Sequence, residues 1–411
     1  MPKINAERLL ADLDHLRTIG GVETGVIRTA LSEKDMEARR WLKKRFEEAG
    51  LEATIDGVGN VLGKTSKPGP VLLIGSHSDT QPRGGWLDGA LGVVYGLEIA
   101  RALSEDPETA NLAVDVVSWQ DEEGSFLGCL GSRSWCGVLD PEAEKAATGR
   151  DGTKLTDAIA AAGLTDVPRL TMEENRYLGY LEAHIEQGAY LEQAQQHVGV
   201  VTAIVGIRAM RFKFHGEQNH AGTTTMARRK DAATALYELA YRVNQEFPSV
   251  AGERTVWTMG RAVVQPGAAS IVPGYAELDL QFRDQDESIL DRFEEIAAAI
   301  ADDINSRGKA RVEYTRSRQP VRPSIMDDGF QKHIAVAAEA TVPGKWQSMP
   351  SAAGHDPMVI TAKLPCAMLF IPSIGGISHD FAEDSDRGDI AIGCQVLADA
   401  ASSILQERRN G

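Results

Sequence analysis

Val71-Leu72-Leu73-Ile74 is apolar at every position, which is what a strand covered on both faces requires and a half-exposed strand does not. Residues 112–119 (Leu-Ala-Val-Asp-Val-Val-Ser-Trp) form a second such run, and residues 91–103 between them read as a helix. Strand, loop, helix, strand in that order predicts a parallel or mixed sheet with helices on its faces. Such sheets gather ligand-binding groups in the loops beyond their strand C-termini. Chemistry is therefore to be sought just after Ile74 and just after Trp119.

The rest of the chain splits around a second pattern. The first 55 residues read as helical, with Met36, Trp41, Leu42 and Phe46 at helical spacing over 35–49 and Gly50 as the stop. The segment Gly57-Val58-Gly59-Asn60-Val61-Leu62-Gly63 resembles a dinucleotide loop, but its spacing is wrong and no helix follows, so it reads as a hairpin turn. From near Arg208 the order is strand (210–215), helix (230–246), strands (255–264 and 275–283), helix (288–305) and strand (310–315). That βαββαβ order is a ferredoxin-like sandwich able to fold as its own layer pair. After Pro320 and Pro323 come a helix, a buried strand at 367–372 and a terminal helix from Asp389. The expected fold is α/β: a mixed-sheet domain of residues 1–208 and 321–411, interrupted by a smaller inserted domain of residues 209–320. A length of 411 residues suits this division, at roughly 150 residues per domain.

Composition narrows the partners. Lys+Arg 43 against Asp+Glu 59 gives a net charge of −16, which argues against nucleic acid or an anionic membrane. The N-terminus has no apolar signal region, and no apolar run approaches the ~20 residues of a membrane span. Cys129, Cys136, Cys366 and Cys394 contain no CxxC pair and make neither a disulfide framework nor a zinc knuckle. The expectation is a cytoplasmic protein.

Polar clusters occupy both strand ends. Gly75-Ser76-His77-Ser78-Asp79 follows the first strand, with Gly84-Gly85-Trp86-Leu87-Asp88-Gly89 soon after, and Gln120-Asp121-Glu122-Glu123-Gly124 follows the second. Three adjacent carboxylates repel one another unless a cation neutralises them. A His with several carboxylates is the ligand set of a divalent transition metal, zinc foremost. Asp88, with two oxygens to share, is placed to bridge two ions, and Asp79 to accept the second imidazole N–H of His77. His184, in Glu182-Ala183-His184-Ile185-Glu186-Gln187-Gly188, and His379, in Gly375-Gly376-Ile377-Ser378-His379-Asp380, complete the set. His15, His197, His215 and His333 have no neighbours at ligand spacing and read as surface or core residues.

Six motifs in order (GSHSDTQPRGGWLDGALGV, DEEGSFLGCLGS, LEAHIEQG, NHAGTTTM, SAAGHDP and GGISHDFAE) resemble those of the zinc-dependent N-carbamoyl-L-amino acid hydrolase/allantoate amidohydrolase family. This is the carbamoylase branch of the aminoacylase and carboxypeptidase G2-like metallopeptidases. The resemblance runs from about Gly20 to the C-terminus and implies a metal-bearing α/β domain with an inserted ferredoxin-like lid that dimerises. It implies two divalent metal ions per subunit: His77, Asp88 and His184 around one, Asp88, Glu123 and His379 around the other. Zinc comes first, while manganese, nickel and cobalt suit the same ligands. Glu122 would be the general base that takes a proton from metal-activated water.

The same resemblance implies that His220 reaches the partner subunit of a homodimer to stabilise an oxyanion, and that Arg283 grips a substrate carboxylate. Gln187 would lie near the substrate's polar end, Gly354 and His355 in a loop over it, and Arg229 in a structural role. The sequence departs from the family at Ser270, where the Pro-Gly-x-x-Asn-x-x-Pro-Gly turn carries Asn, and at Ile207, where allantoate-type members carry Gln. Trp86 and Arg83 lie in the metal loop. The implied activity is hydrolysis of a linear C–N bond in an N-carbamoyl or related N-substituted amino acid. The alternatives are an N-acyl amino acid amidohydrolase or dipeptidase, or a non-catalytic binding protein on the same fold.

Overall fold

Four parallel strands lie side by side in the order Cys366–Ile371, Tyr177–Ile185, Val71–His77 and Ala113–Trp119. Every residue of the first, third and fourth is buried, which is why their sequences do not alternate. Antiparallel strands extend the sheet on both sides: Val61–Lys64 and Glu52–Ile55 beyond Ala113–Trp119, and Val198–Ile204 beyond Cys366–Ile371. The computed structural model describes residues 1–410. It divides into one compact unit of Met1–Thr202 with the chain from Ile325 onward, and another of Ala203–Ser324.

Helices cover the sheet of the first unit. In Ala90–Glu105 each residue from Ala90 to Leu103 is buried, as expected of a helix apolar all round; it packs on Val71–His77 and Ala113–Trp119. The terminal helix Arg387–Asn410 is, by length and composition, apolar and long enough to cross a membrane, where no apolar run of that length was expected. Yet 61% of its apolar window is buried, and Ile390, Cys394, Leu397, Ala401 and Ile404 join the core. It is a core helix. The segment around Gly57 is a turn between antiparallel strands, with Ile55 opposite Val61, and Asp56 Oδ1 accepts the N–H groups of Val58, Gly59 and Asn60.

Because the four central strands are parallel, their C-terminal ends emerge at one edge. His77 ends its strand, His184 is the penultimate residue of another, Glu122 and Glu123 follow Trp119, and His379 follows Ile371. Topology alone brings these side chains to one place.

The second unit is an antiparallel sheet in the order Val256–Gln265, Tyr275–Asp284, Gly206–His215 and Arg311–Arg316. Helices Ala232–Glu246 and Glu287–Ser306, N-capped by Asp231 and Asp286, complete the βαββαβ order. Burial alternates strictly along Tyr275–Asp284, so one face carries the core, where Phe247 and Phe293 stack at 3.8 Å.

Candidate metal centre

Asp88 stands at the middle of the cluster. Its Oδ1 lies 3.3 Å from His77 Nε2 and 3.1 Å from His184 Nε2, while its Oδ2 lies 3.3 Å from His379 Nε2. Glu123 Oε2 is 3.5 Å from the same His379 nitrogen, and Glu122 Oε2 is 3.6 Å from His77 Nε2. Two groups result, His77–Asp88–His184 and Asp88–Glu123–His379, each with its candidate ligand atoms within 4.8 Å of one another. Each Asp88 oxygen thus faces a different group.

The imidazole tautomers bear on what these groups can hold. His77 Nδ1 lies 3.0 Å from the Asp79 carbonyl and His184 Nδ1 lies 2.9 Å from the Ile185 carbonyl. A carbonyl only accepts, so both Nδ1 atoms carry hydrogen, and a neutral ring so oriented points its Nε2 lone pair at the Asp88 carboxylate. The Gly89 N–H donates to His184 Nε2 at 3.1 Å, and His77 Nε2 is buried without a hydrogen-bond partner. A proton on one ring relieves one repulsive contact, whereas a divalent metal accepts all three donors at once. The residues fit such an ion. The Asp79 side chain was expected to bind His77, but the backbone carbonyl does so; the nearer carboxylate oxygen is 3.9 Å from the ring nitrogen. That carboxylate instead accepts the Glu123 N–H at 3.3 Å and faces Arg39 at 3.6 Å.

The loops are shaped around these side chains. Gly89 has φ +65°, and a Cβ there would stand 2.4 Å from the His77 ring; only glycine allows the approach. The three adjacent carboxylates do not all crowd the centre. Asp121 turns back into its own loop, accepting the N–H groups of Ser125, Phe126 and Leu127. Glu122 and Glu123 remain, with side chains 11% and 6% exposed. Burial lifts the Glu122 carboxyl well above its usual range and Glu123 up to about 7. Gln187 donates to Asp88 Oδ2 at 2.9 Å. The His355 ring packs 4.5 Å from that of His184, and burial, then the His184 ring, push its pKa well below the usual value. Gly354 precedes it, where a Cβ would come 3.1 Å from Met358 Sδ.

His220, Ser270 and Arg283 belong to the second unit. His220 pairs with Ile271 in a two-residue ladder, and the Ala221 N–H donates to the Ser270 carbonyl at 2.9 Å. His220 Nδ1 accepts the N–H groups of Gly222 and Thr223 at 3.1 and 3.2 Å, so its proton sits on Nε2. Arg229 bonds the carbonyls of Thr224 and Ala221, which ties this loop down. Arg283 is half-buried opposite Ile207 in the ladder, with Gln281 Oε1 3.2 Å from its guanidinium.

Residues 73–403 match the family model described as Peptidase family M20/M25/M40. The chain belongs to that family. The motif resemblance is thereby borne out, and similar proteins narrow it. The chain is 32% identical to the N-carbamoyl-L-amino acid amidohydrolase of Geobacillus stearothermophilus over 98% of this chain and 99% of that one. It is also 32% identical to the allantoate amidohydrolase of Bacillus subtilis, over 91% and 92% of the two chains. Among solved structures, an amidase of the hydantoinase/carbamoylase family from Burkholderia phymatum is 48% identical over 100% of both chains, with a TM-score of 0.94.

Several residues that shape this M20/M25/M40 centre escaped the sequence reading. Glu383 accepts the N–H groups of Leu87 and Asp88 at 3.1 and 3.0 Å and the Ser378 hydroxyl at 3.0 Å. A Cβ on Gly85 would collide with it. Arg39, fully buried, bonds Asp35 and the carbonyls of Gly59, Ser118 and Trp119, a cation set beneath the acidic loops. Arg28, also buried, ties the Ser78 carbonyl to those of Leu16 and Ile19. Glu383 closes the quoted motif GGISHDFAE and was legible there as a carboxylate near His379; Arg28 and Arg39 give no local signal.

Proposed function

We propose that this chain is a metal-dependent amidohydrolase that cleaves a linear C–N bond in an N-carbamoyl (ureido) amino acid or a related N-substituted amino acid. The observation that carries the reading is the pair of imidazole–carboxylate groups sharing Asp88, with Glu122 beside His77 but outside both. His77, Asp88 and His184 would hold one divalent ion and Asp88, Glu123 and His379 a second, zinc foremost and manganese, nickel or cobalt compatible. Such ions, when bound, acidify a water and polarise a carbonyl.

The chain's own groups do the rest. Glu122 takes the proton of the attacking water and returns it to the leaving nitrogen as the C–N bond breaks, a role worth roughly 10²–10⁴-fold in rate. Asp79, through its carbonyl, holds the His77 tautomer. His220, with its proton fixed on Nε2, donates to the developing oxyanion in the partner subunit's site, which makes the working enzyme a homodimer through residues 209–320 as lid. Arg283 offers a two-pronged donor to the substrate carboxylate. Gln187, Ser270, Gly354 and His355 complete the substrate contacts. Ser270 cannot make the two-pronged amide contact of an asparagine, and Ile207 beside Arg283 presents an apolar surface. Ile207 favours a substrate with an apolar body over allantoate, and Ser270 alters how the carboxylate or ureido end is held. The protein is read as cytoplasmic.

The test is a panel of N-carbamoyl-L-amino acids, allantoate, N-acetyl amino acids and dipeptides, assayed on metal-loaded protein. Turnover of the N-carbamoyl compounds is expected. Cleavage of N-acetyl compounds or dipeptides alone would move the chain to the aminoacylase or dipeptidase reading, and turnover of none would leave a binding protein.

A further inference from the structure

We propose that Gln81 is a positioning residue for Glu123, and that through it Gln81 sets how tightly the Asp88–Glu123–His379 group holds its cation. The inference rests on the two-cation reading above. Gln81 grips Glu123 at three points: its backbone N–H donates to Oε1 at 3.2 Å, and its side-chain amide donates to Oε2 at 2.8 Å and to the Glu123 carbonyl at 3.1 Å. One residue thus holds both carboxylate oxygens and the adjoining backbone.

The orientation of the Gln81 amide is itself settled. Its Oε1 accepts from the Arg150 guanidinium at 3.3 Å, so the amide nitrogen must face Glu123. Arg150, Gln81 and Glu123 line one cleft of about 180 Å³ together with Pro82 and Phe126. The chain Arg150–Gln81–Glu123 runs from a cation to a carboxylate through one polarised amide, each link placing the next.

The two ligand groups differ in how they are held. His77 and His184 are 1% exposed and each ring is fixed by a carbonyl close to it in sequence. Glu123 sits in a loop past its strand, and His379 is 49% exposed. In the second group His379 lacks the packing that orders His77 and His184, and Glu123, buried but carried on a loop, takes its orientation from the grip of Gln81. Partners that orient a ligand in this way are worth 10–100-fold in metal affinity as a general order of magnitude, about the size expected here.

Titrating metal-free protein with zinc, by calorimetry and by elemental analysis after gel filtration, reads the two sites separately. Wild-type protein should take two equivalents. Gln81→Met fills nearly the same space and keeps the backbone bond while removing the amide. It should leave one equivalent unchanged and weaken the other by about tenfold or more. Gln81→Asn, too short to reach Oε2, should do the same, and Arg150→Ala should act in the same direction by less. A folded Gln81→Met binding both equivalents as wild type does would overturn the inference, as would equal weakening of both sites, which assigns Gln81 to the fold alone. Fewer than two equivalents on the wild type would instead refute the two-cation reading itself. Circular dichroism and thermal unfolding establish that each variant is folded.

Discussion

Asp88 Oδ1 lies 3.1 Å from His184 Nε2, a separation at which a carboxylate oxygen and an imidazole lone pair repel unless positive charge lies between them. His77 approaches the same oxygen at 3.3 Å. Both rings are held by carbonyls behind them, so neither can swing away without losing a buried hydrogen bond. The centre is built to be completed by a cation.

Metal removal should therefore cost stability as well as activity. An ion that binds the folded chain alone stabilises it by about 2.7 kcal/mol at one hundred times its dissociation constant. Calorimetric scans with chelator, and then with excess zinc or manganese, should show the melting temperature fall and recover. An unchanged melting temperature would contradict a metal site in the folded state.

Gly89→Ala should be severe for its size. The added carbon meets the His77 ring at 2.4 Å, and φ there is +65°. Strain of about 1–3 kcal/mol and loss of metal bound through His77 are the expected results, read by denaturant unfolding and metal content. An alanine variant with full metal content and native stability would show that the loop can yield.

Glu383→Ala should weaken metal binding without removing a ligand. The N–H groups of Leu87 and Asp88 lose their acceptor, at about 1–3 kcal/mol for each group left unsatisfied. Asp88 then loses its placement, and metal affinity should fall roughly 10–100-fold. Equilibrium dialysis checks this.

Mixing two inactive variants tests action across the dimer. Glu122→Gln should keep its metal and lose roughly 10²–10⁴-fold in turnover, and His220→Ala should also be crippled. If His220 serves the partner's site, hybrids of the two variants contain one intact site and activity returns on mixing. No recovery after verified subunit exchange would place His220 in its own subunit's reaction.

The metal-free protein should lose stability as pH rises through neutrality. Burial raises Glu123 and Asp356 from ordinary values of 4.5 and 3.8 to about 7, and Glu182 and Glu383 from 4.5 to about 8. A raised carboxyl pKa means the folded state holds protons that the unfolded state has released, so unfolding becomes easier with increasing pH. Urea midpoints in chelator should drop from about pH 5, just above the unfolded carboxyl values, to about pH 8, and added zinc should flatten the trend because it replaces the protons. A midpoint that rises across this window would show these carboxyls to be charged already.

The fold was largely readable because its signals are local. An unalternated run such as Val71-Leu72-Leu73-Ile74 has few places to go but the middle of a sheet, and the alternation of 275–283 has few but its face. The ligand residues were readable because a His or an acid at a strand end stands out in the text, and the ordered motifs supplied their pairing. Asp121 shows where this stops. Its neighbours made it one of three crowded carboxylates, yet whether it faces a metal or its own backbone depends on the turn that Ser125, Phe126 and Leu127 make.

Residue identity and spacing thus settled which side chains could serve chemistry and at which ends of which strands. Contacts between distant segments settled how each is held: Glu383 on the Asp88 loop, Gln81 on Glu123, Arg39 beneath both acidic turns, and a carbonyl rather than a carboxylate behind His77. The physical reason is range. Hydrophobic periodicity acts over a few residues and survives in the linear order, whereas a hydrogen bond of about 3 Å between segments far apart in the chain exists once the sheet has brought them together.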